Sequence, residues 1–296
     1  MQSAEEILGN AEAAVATHHV AATAGMKHSR QIGLYTFLWL IAFLTFLPFI
    51  LMISISFKTR AQFSVQPIWP TLPLHLDNYA FAWEQIFRPF LNTALICTAS
   101  IAGTLLIASL AAYSFSRFVF PGSRILFLGV LSLLMVPEVL LLVPRYVITG
   151  QLHLLENYLG LIFPYISAGS IFAIFVMRTF FAAVPGELIE AARIDGASHF
   201  TIFWRVMIPL SKPILSTLAI IQLIRLWNDF IWPFVVLSKK DNYTLALILK
   251  TFSGDLGSQY GLIMACYTMA SLPLLIVFAL ASKQFIKGLT SGAIKL

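Results

Sequence analysis

Six long apolar runs constrain this chain more than any other feature. They cover residues 33–57, 90–115, 125–148, 158–181, 213–237 and 260–281. A helix needs roughly 20 apolar residues to cross a bilayer core about 30 Å thick, and each run is long enough. Only helices and closed barrels satisfy the backbone in lipid. Barrel strands would be segments of about ten alternating residues, and these runs are longer and continuous. The expected fold is therefore an all-α membrane protein with six transmembrane helices. Composition agrees: 59% of the residues are hydrophobic and 11% charged, against about half and about a quarter in a soluble domain.

The net charge of +6 does not point to nucleic acid, because the basic residues sit between the apolar runs. That placement fits orientation in a membrane. With the N-terminus inside, Lys27, Arg30, Arg117, Arg124, Arg178, Arg193, Arg205, Lys212, Lys283, Lys287 and Lys295 all fall inside. A smaller set, Lys58, Arg60, Arg88, Lys239, Lys240 and Lys250, falls outside. Both termini are expected to be cytoplasmic. Residues 1–30 carry Glu5, Glu6 and Glu12 and lack the short apolar core and cleavage site of a secretory signal. They read as a flexible cytoplasmic extension, with His18 and His19 part of that tail rather than a metal site. Residues 31–296 form the membrane domain. Cys97 and Cys266 lie in apolar runs without metal-ligand spacing and predict no disulfide framework.

The loop over 182–212, the longest on the inside, carries the most information. Pro185 and Gly186 mark a helix start, with Glu187 and Glu190 in the first turns, where the helix dipole favours acids. Asp195-Gly196 is a stop, Ser198 can cap a second short helix, and Pro209 is expected to end it. Ala191 and Ala192 leave room for another surface. Phe200, Phe203, Trp204 and Met207 form an apolar set at helical spacing. The pattern suits docking into a groove on a partner protein or lying on the membrane surface.

Glu190-Ala191-Ala192, Gly196 and Val206-Met207-Ile208-Pro209 resemble the EAA loop of ABC importer permeases. Val206 and Ile208 depart conservatively from that loop's usual Ile and Leu. Asn78-Tyr79, Trp227-Asn228-Asp229-Phe230 and the tail motif Lys287–Ala293 are similar to the carbohydrate branch, and the tail motif looks most like the maltose G-type subunit. The resemblance covers roughly residues 33–296. It implies a MetI-like ABC permease bundle in the bacterial cytoplasmic membrane, multi-pass and surrounded by lipid. It implies three protein partners: a second, similar permease (a heterodimer), a cytoplasmic ABC ATPase dimer and an extracytoplasmic solute-binding protein. The cargo would be a carbohydrate or polyol. On this reading Glu187, Glu190, Ala191, Ala192, Asp195, Gly196, Phe200 and Pro209 form the ATPase-docking coupling loop. The tail at 283–296 reaches toward the ATPase, and the outside loop at 238–259 meets the binding protein.

The chain has no G-x-x-x-x-G-K-[ST] phosphate loop. ATP and Mg would be used by the partner ATPase, with no cofactor, metal or catalytic residue in this chain. Ionisable residues inside apolar runs default to functional hypotheses. Glu138, after Pro137, either faces a translocation path or pairs with a helix of the partner permease. Arg225 and Asp229 are four apart and can form an ion pair on one helix face. With Trp227 and Asn228, Asp229 can instead line a path for sugar. A permease for a non-sugar solute is the nearest alternative. A secondary transporter would be expected to show charged relays and internal repeats, neither of which is visible.

Overall fold

The computed structural model describes residues 31–255, 257 and 259–291. The 1–30 extension and the last five residues of the expected tail, 292–296, lie outside the described residues. All regular structure among the described residues is helical. The chain divides into two compact units, Met1–Ser54 and Ile55–Leu296. The described part of the first lies in one helix, α1 (Gln31–Ser56), whose most apolar stretch has a mean hydropathy of 2.5.

The second unit begins with a short helix, α2 (Arg60–Val65), in the interval between the first two apolar runs. Thr59 caps it reciprocally with Gln62. Lys58 organises the following turns. Its buried ammonium donates to the carbonyls of Gln66, Pro67 and Trp69 at 2.7, 3.1 and 2.7 Å, and burial holds its pKa below the ordinary lysine value. The second helix starts well before the apolar run at 90–115: α3 (Asp77–Arg117) starts at Asp77, and its 41 residues run through Pro89.

α3 is the spine of this unit, and three buried clusters sit in order along it. Ala82 and Ile86 meet Ala265, Cys266 and Ala270 of α13 (Tyr260–Ser291). Ile96 and Cys97 meet Leu161 and Tyr165 of α6 (Leu159–Ala183). Ala108, Ala112 and Tyr113 meet Met177 and Phe181 of α6. Small residues at these contacts let helix backbones approach closely, the usual device where lipid supplies no hydrophobic drive between helices. Gly169 of α6 shows the limit, because a Cβ there would run into the side chain of Gln222. Cys97 and Cys266 are both free and buried.

Among the described residues four helices are long and apolar enough to cross a membrane, and two further pairs qualify if each bent pair is one span. The run expected at 125–148 is one such pair. α4 (Ser123–Ser132) and the turn after it meet α5 (Leu142–Gln151) and the turn before it at 96°. The run expected at 213–237 is also broken. α10 (Lys212–Trp227) stops at Trp227, and α11 (Ile231–Val236) resumes after Asn228–Phe230. The second bent pair joins His199–Leu210 to α10 at 73°. A helix, α12 (Leu245–Asp255), lies in the segment read as the outside loop 238–259. The backbone of 283–291, expected as tail, continues α13.

Candidate functional site

Two places draw the chemistry-bearing residues together, and the first is the helix–turn–helix that follows α6. Pro185 is the N-cap of α7 (Gly186–Ile194), as expected. At the other end Gly196 N–H donates to Arg193 O and Ala197 N–H to Ala192 O, both at 2.9 Å. This pair of bonds is a Schellman motif, and Gly196 takes the left-handed conformation it requires, at φ 81°. Ser198 Oγ then accepts from Thr201 N–H at 3.2 Å and starts α8 (His199–Ile202). A π turn over Phe203–Met207 and α9 (Ile208–Leu210) complete the arm. The expectation that Pro209 ends this helix is corrected. Pro209 lies in the first turn of α9, where its missing N–H costs little, and the chain bends by 73° at Ser211 instead.

Ile189, Ile202, Phe203 and Met207 are buried and fix this arm to the third cluster. The Phe203 ring lies 5.5 Å from that of Tyr113. Arg117 reaches across to donate to the last carbonyls of α6, at Phe181 and Val184. Orphan carbonyls at a helix end are thereby satisfied. The opposite face is open. Glu187, Glu190, Ala191, Asp195, Gly196 and Pro209 are exposed, Ala192 is half-buried, and Ile194 and Phe200 are 87% and 71% exposed. Among the described residues, Glu187, Glu190 and Asp195 have no ion-pair partner.

The second place is a cleft of about 740 Å³ flanked by the broken 133–152 stretch, α6 and Arg225 of α10. Pro137 interrupts the helical path, and Val136 before it is extended, at φ −81° and ψ 116°. Glu138 sits on that break. Its Oε1 accepts from Arg225 Nη1 at 3.1 Å and lies 3.7 Å from Arg145 Nη2. Arg145 in turn stands over the Trp232 ring at 5.3 Å. One carboxylate and two guanidinium groups leave the cleft a net positive charge. Ser167, Phe163 and Phe172 add a hydroxyl and two aromatic rings to its wall. Such a mixture of donors, an acceptor and ring faces can hold a hydroxyl-rich or anionic solute.

Residues 104–290 match the family described as binding-protein-dependent transport system inner membrane component. The chain belongs to this family. It is 30% identical to the arabinooligosaccharides transport system permease protein AraQ of Bacillus subtilis over 91% of this chain and 99% of that one. It is 32% identical to the lactose transport system permease protein LacG of Rhizobium radiobacter over 88% of this chain and 95% of that one. In structure it is similar to a chain of a bacterial ABC transporter involved in the import of the acidic polysaccharide alginate. That match has a TM-score of 0.75 at 25% identity and covers 86% of this chain and 95% of that one.

The matched region of this transport component contains both the 186–210 arm and the cleft. Its other path candidates lie away from the cleft lining. Trp227 packs between two buried clusters, with its ring against Phe90 at 5.9 Å. The exposed Asn228 turns Nδ2 back to Ile224 O at 2.8 Å. The ion pair between Arg225 and Asp229 does not form. The helix ends between them, Arg225 turns to Glu138, and Asp229 does other work. Its Oδ1 accepts from Ile231 N–H at 3.0 Å and its Oδ2 from Tyr165 OH at 2.8 Å. The pairing of Glu138 with Arg225 and Arg145 lies within one chain, where sequence reading set a path residue against a partner's helix.

Several working residues carried no sequence signal. Arg117 reads only as a topogenic charge in the sequence. Asn92 donates to the carbonyls of Asp241 and Tyr243 at 2.9 and 3.0 Å and accepts from Tyr158 OH at 2.8 Å. Glu156 adopts a positive φ of 59° and accepts from Ser238 N–H at 2.6 Å and Lys239 N–H at 3.2 Å. Burial alone would raise its carboxyl pKa. The Ser238 and Lys239 donors and the Lys239 charge outweigh that and hold it below the ordinary value. Among the described residues no group of three or more His, Cys, Asp or Glu is placed to hold a metal ion.

Proposed function

We propose that this chain is one permease subunit of an ATP-driven, binding-protein-dependent importer that moves a carbohydrate across the bacterial cytoplasmic membrane. The open face of the 186–210 arm carries this reading. It presents three carboxylates without ion-pair partners beside the exposed Ile194 and Phe200, on a base fixed by four buried side chains. A rigid, sided surface of this kind suits transmission of movement from a partner. Glu187, Glu190, Ala191, Ala192, Asp195, Gly196 and Phe200 dock into the ATPase, which uses ATP and Mg. Pro209 shapes the base of the arm. A second, similar permease completes the pathway, and a solute-binding protein delivers cargo at the opposite end, near 238–259. Both termini are cytoplasmic, as the Lys and Arg distribution favours.

The oligosaccharide and disaccharide cargoes named for the relatives support a sugar for this chain. Glu138, in the cleft, faces the path, while Trp227, Asn228 and Asp229 hold the break in the fifth run that shapes it. Transport is a shift between two packings biased by ligand at both ends. The test is ATP-driven uptake in proteoliposomes containing the whole transporter, across a panel of labelled mono- and oligosaccharides. Glu190→Lys and Gly196→Val are expected to lower uptake by about tenfold or more, since losing about 1.4 kcal/mol of coupling has that effect. The circular dichroism of the purified chain should stay the same. Unchanged uptake in both variants sinks the docking role. Uptake of no sugar by the wild type moves the cargo to a non-sugar solute.

A further inference from the structure

A second pocket, of about 350 Å³, lies beside the start of α4 and is not part of the cleft. Its wall is Phe115, Ser123, Arg124, Phe127, Leu128 and Arg178. Two of these six side chains are guanidinium groups and none is acidic. Arg178 lies in the last turns of the apolar helix α6. Its guanidinium stands over the Phe127 ring at 4.1 Å, which holds it in place. Even so its Nε is buried without a hydrogen-bond partner. Among the described residues neither Arg124 nor Arg178 has an ion-pair partner.

The backbone adds to the positive character of this pocket. Ser123 is the first residue of the ten-residue α4, whose N-cap is Gly122 at φ 81°, and no side chain caps its first turn. Ser123 N–H donates to Phe120 O at 3.2 Å and Leu126 N–H to Gly122 O at 2.9 Å, which leaves the N–H groups of Arg124 and Ile125, and donors of this kind at a helix start favour an anion. Leu128 on the pocket wall and Ile125 beside it are 54% and 76% exposed, so an apolar strip leads away from the two arginines. A ligand matching both ends is an amphiphile with an anionic head.

We propose that this pocket binds the phosphate-bearing headgroup of an anionic membrane lipid. Arg124 and Arg178 clamp the phosphate, Ser123 and the first turn of α4 donate to it, and the acyl chains follow Ile125 and Leu128. A single oxyanion with two flanking guanidinium groups satisfies the buried Nε and balances their charge. Arg is suited to this role by its planar set of donors.

The test uses the full chain, purified in mild detergent and titrated with dioleoylphosphatidylglycerol or dioleoylphosphatidylcholine under native mass spectrometry. Two variants report on the pocket. Arg124→Gln removes an exposed charge. Ser123→Asp places a negative charge where it suits the helix dipole but repels a phosphate, so the fold is kept while the site is blocked. Phosphatidylglycerol is expected to bind several-fold more tightly than phosphatidylcholine. Each variant should weaken it by about fivefold, the effect of about one charge at a lipid surface, without changing phosphatidylcholine binding or the melting temperature. Equal binding of the two lipids, or phosphatidylglycerol binding untouched by both variants, overturns the proposal. If inorganic phosphate binds alone with the same sensitivity to the variants, and the acyl chains add no affinity, the pocket serves a soluble phosphate and the lipid assignment falls.

Discussion

α6 and the stretch 123–151 are similar in sequence and opposite in outcome. Both are apolar, both are long enough to span a bilayer, and both contain proline. α6 passes through Pro164 as one helix of 25 residues, whereas the other bends by 96° at Val136-Pro137. The cause lies outside the prolines. Pro164 has no N–H to donate, which frees the carbonyl of Gly160 four residues earlier. The indole of Trp232 donates to that carbonyl at 3.1 Å. The helix is also clasped by buried contacts to α3, through Leu161, Tyr165, Met177 and Phe181. Near Pro137, among the described residues, Met135 and Val139 are mostly exposed rather than clasped. With the apolar side chains beside the break left exposed, the steric preference of the residue before proline prevails, and the opening leaves Glu138 facing two arginines. The proline supplies a weak point, and the surroundings decide whether the helix yields there.

The largest expected effect comes from removing the clasp. Trp232→Ala takes out a buried aromatic side chain and should cost about 3–5 kcal/mol. Trp232→Phe keeps most of the volume but orphans the Gly160 carbonyl, for about 1–3 kcal/mol. Both are read as lower melting temperatures of the purified chain. Pro137→Ala should cost little by the same measurement. If Trp232→Phe is silent, the acceptor at Gly160 does not explain why α6 stays whole.

An intermediate effect is expected at the break itself. Glu138→Gln leaves Arg145 and Arg225 without their carboxylate. These side chains are 55%, 18% and 38% exposed in the order Glu138, Arg145, Arg225, so the stability change should stay within about 1 kcal/mol. Uptake by the assembled transporter should still fall several-fold, because the cleft keeps two cations without a counter-charge. A large drop in melting temperature with normal uptake would make the triad a structural clamp and the cleft incidental.

The smallest expected effect sharpens the comparison just before the start of α6, where Glu156 ties the turn before the helix to Ser238 and Lys239. Its folded pKa is depressed, so the stability it adds is present above the ordinary value of about 4.3 and is lost as the pH falls through the lower folded value. Glu156→Gln should melt about 1 kcal/mol or less below the wild type at pH 7, with the gap closing below about pH 4. A gap that persists in acid would mean the contact does not depend on the ionised carboxylate.

Much of this was legible in the chain. The positions of the apolar runs needed only the thickness of a bilayer. The 186–198 turn needed only local chemistry: a proline before α7, a glycine after it and a serine before α8. Each acts on its immediate neighbours, so a one-dimensional pattern contains the cause. The EAA-like spacing pointed to the same arm. The pattern failed where causes are distant. Hydrophobic periodicity placed Phe200 and Phe203 together, but packing against Tyr113 buried one and left the other in the open. Arg225 and Asp229 have the spacing of an ion pair only if the helix continues through Asn228.

The sequence by itself determined that this chain is helical and membrane-embedded, where its runs lie, and the order of caps in the 186–210 arm. These follow from backbone hydrogen bonding in lipid and from contacts within a few residues. The tertiary structure alone decided which proline bends the chain, which cation meets Glu138, and which face of the arm remains free. Each of those outcomes depends on a partner far away in sequence: Trp232 for Pro164, Arg225 for Glu138, and Tyr113 for Phe203. No local rule specifies which distant side chain fills an orphaned acceptor, a bare charge or a half-buried ring.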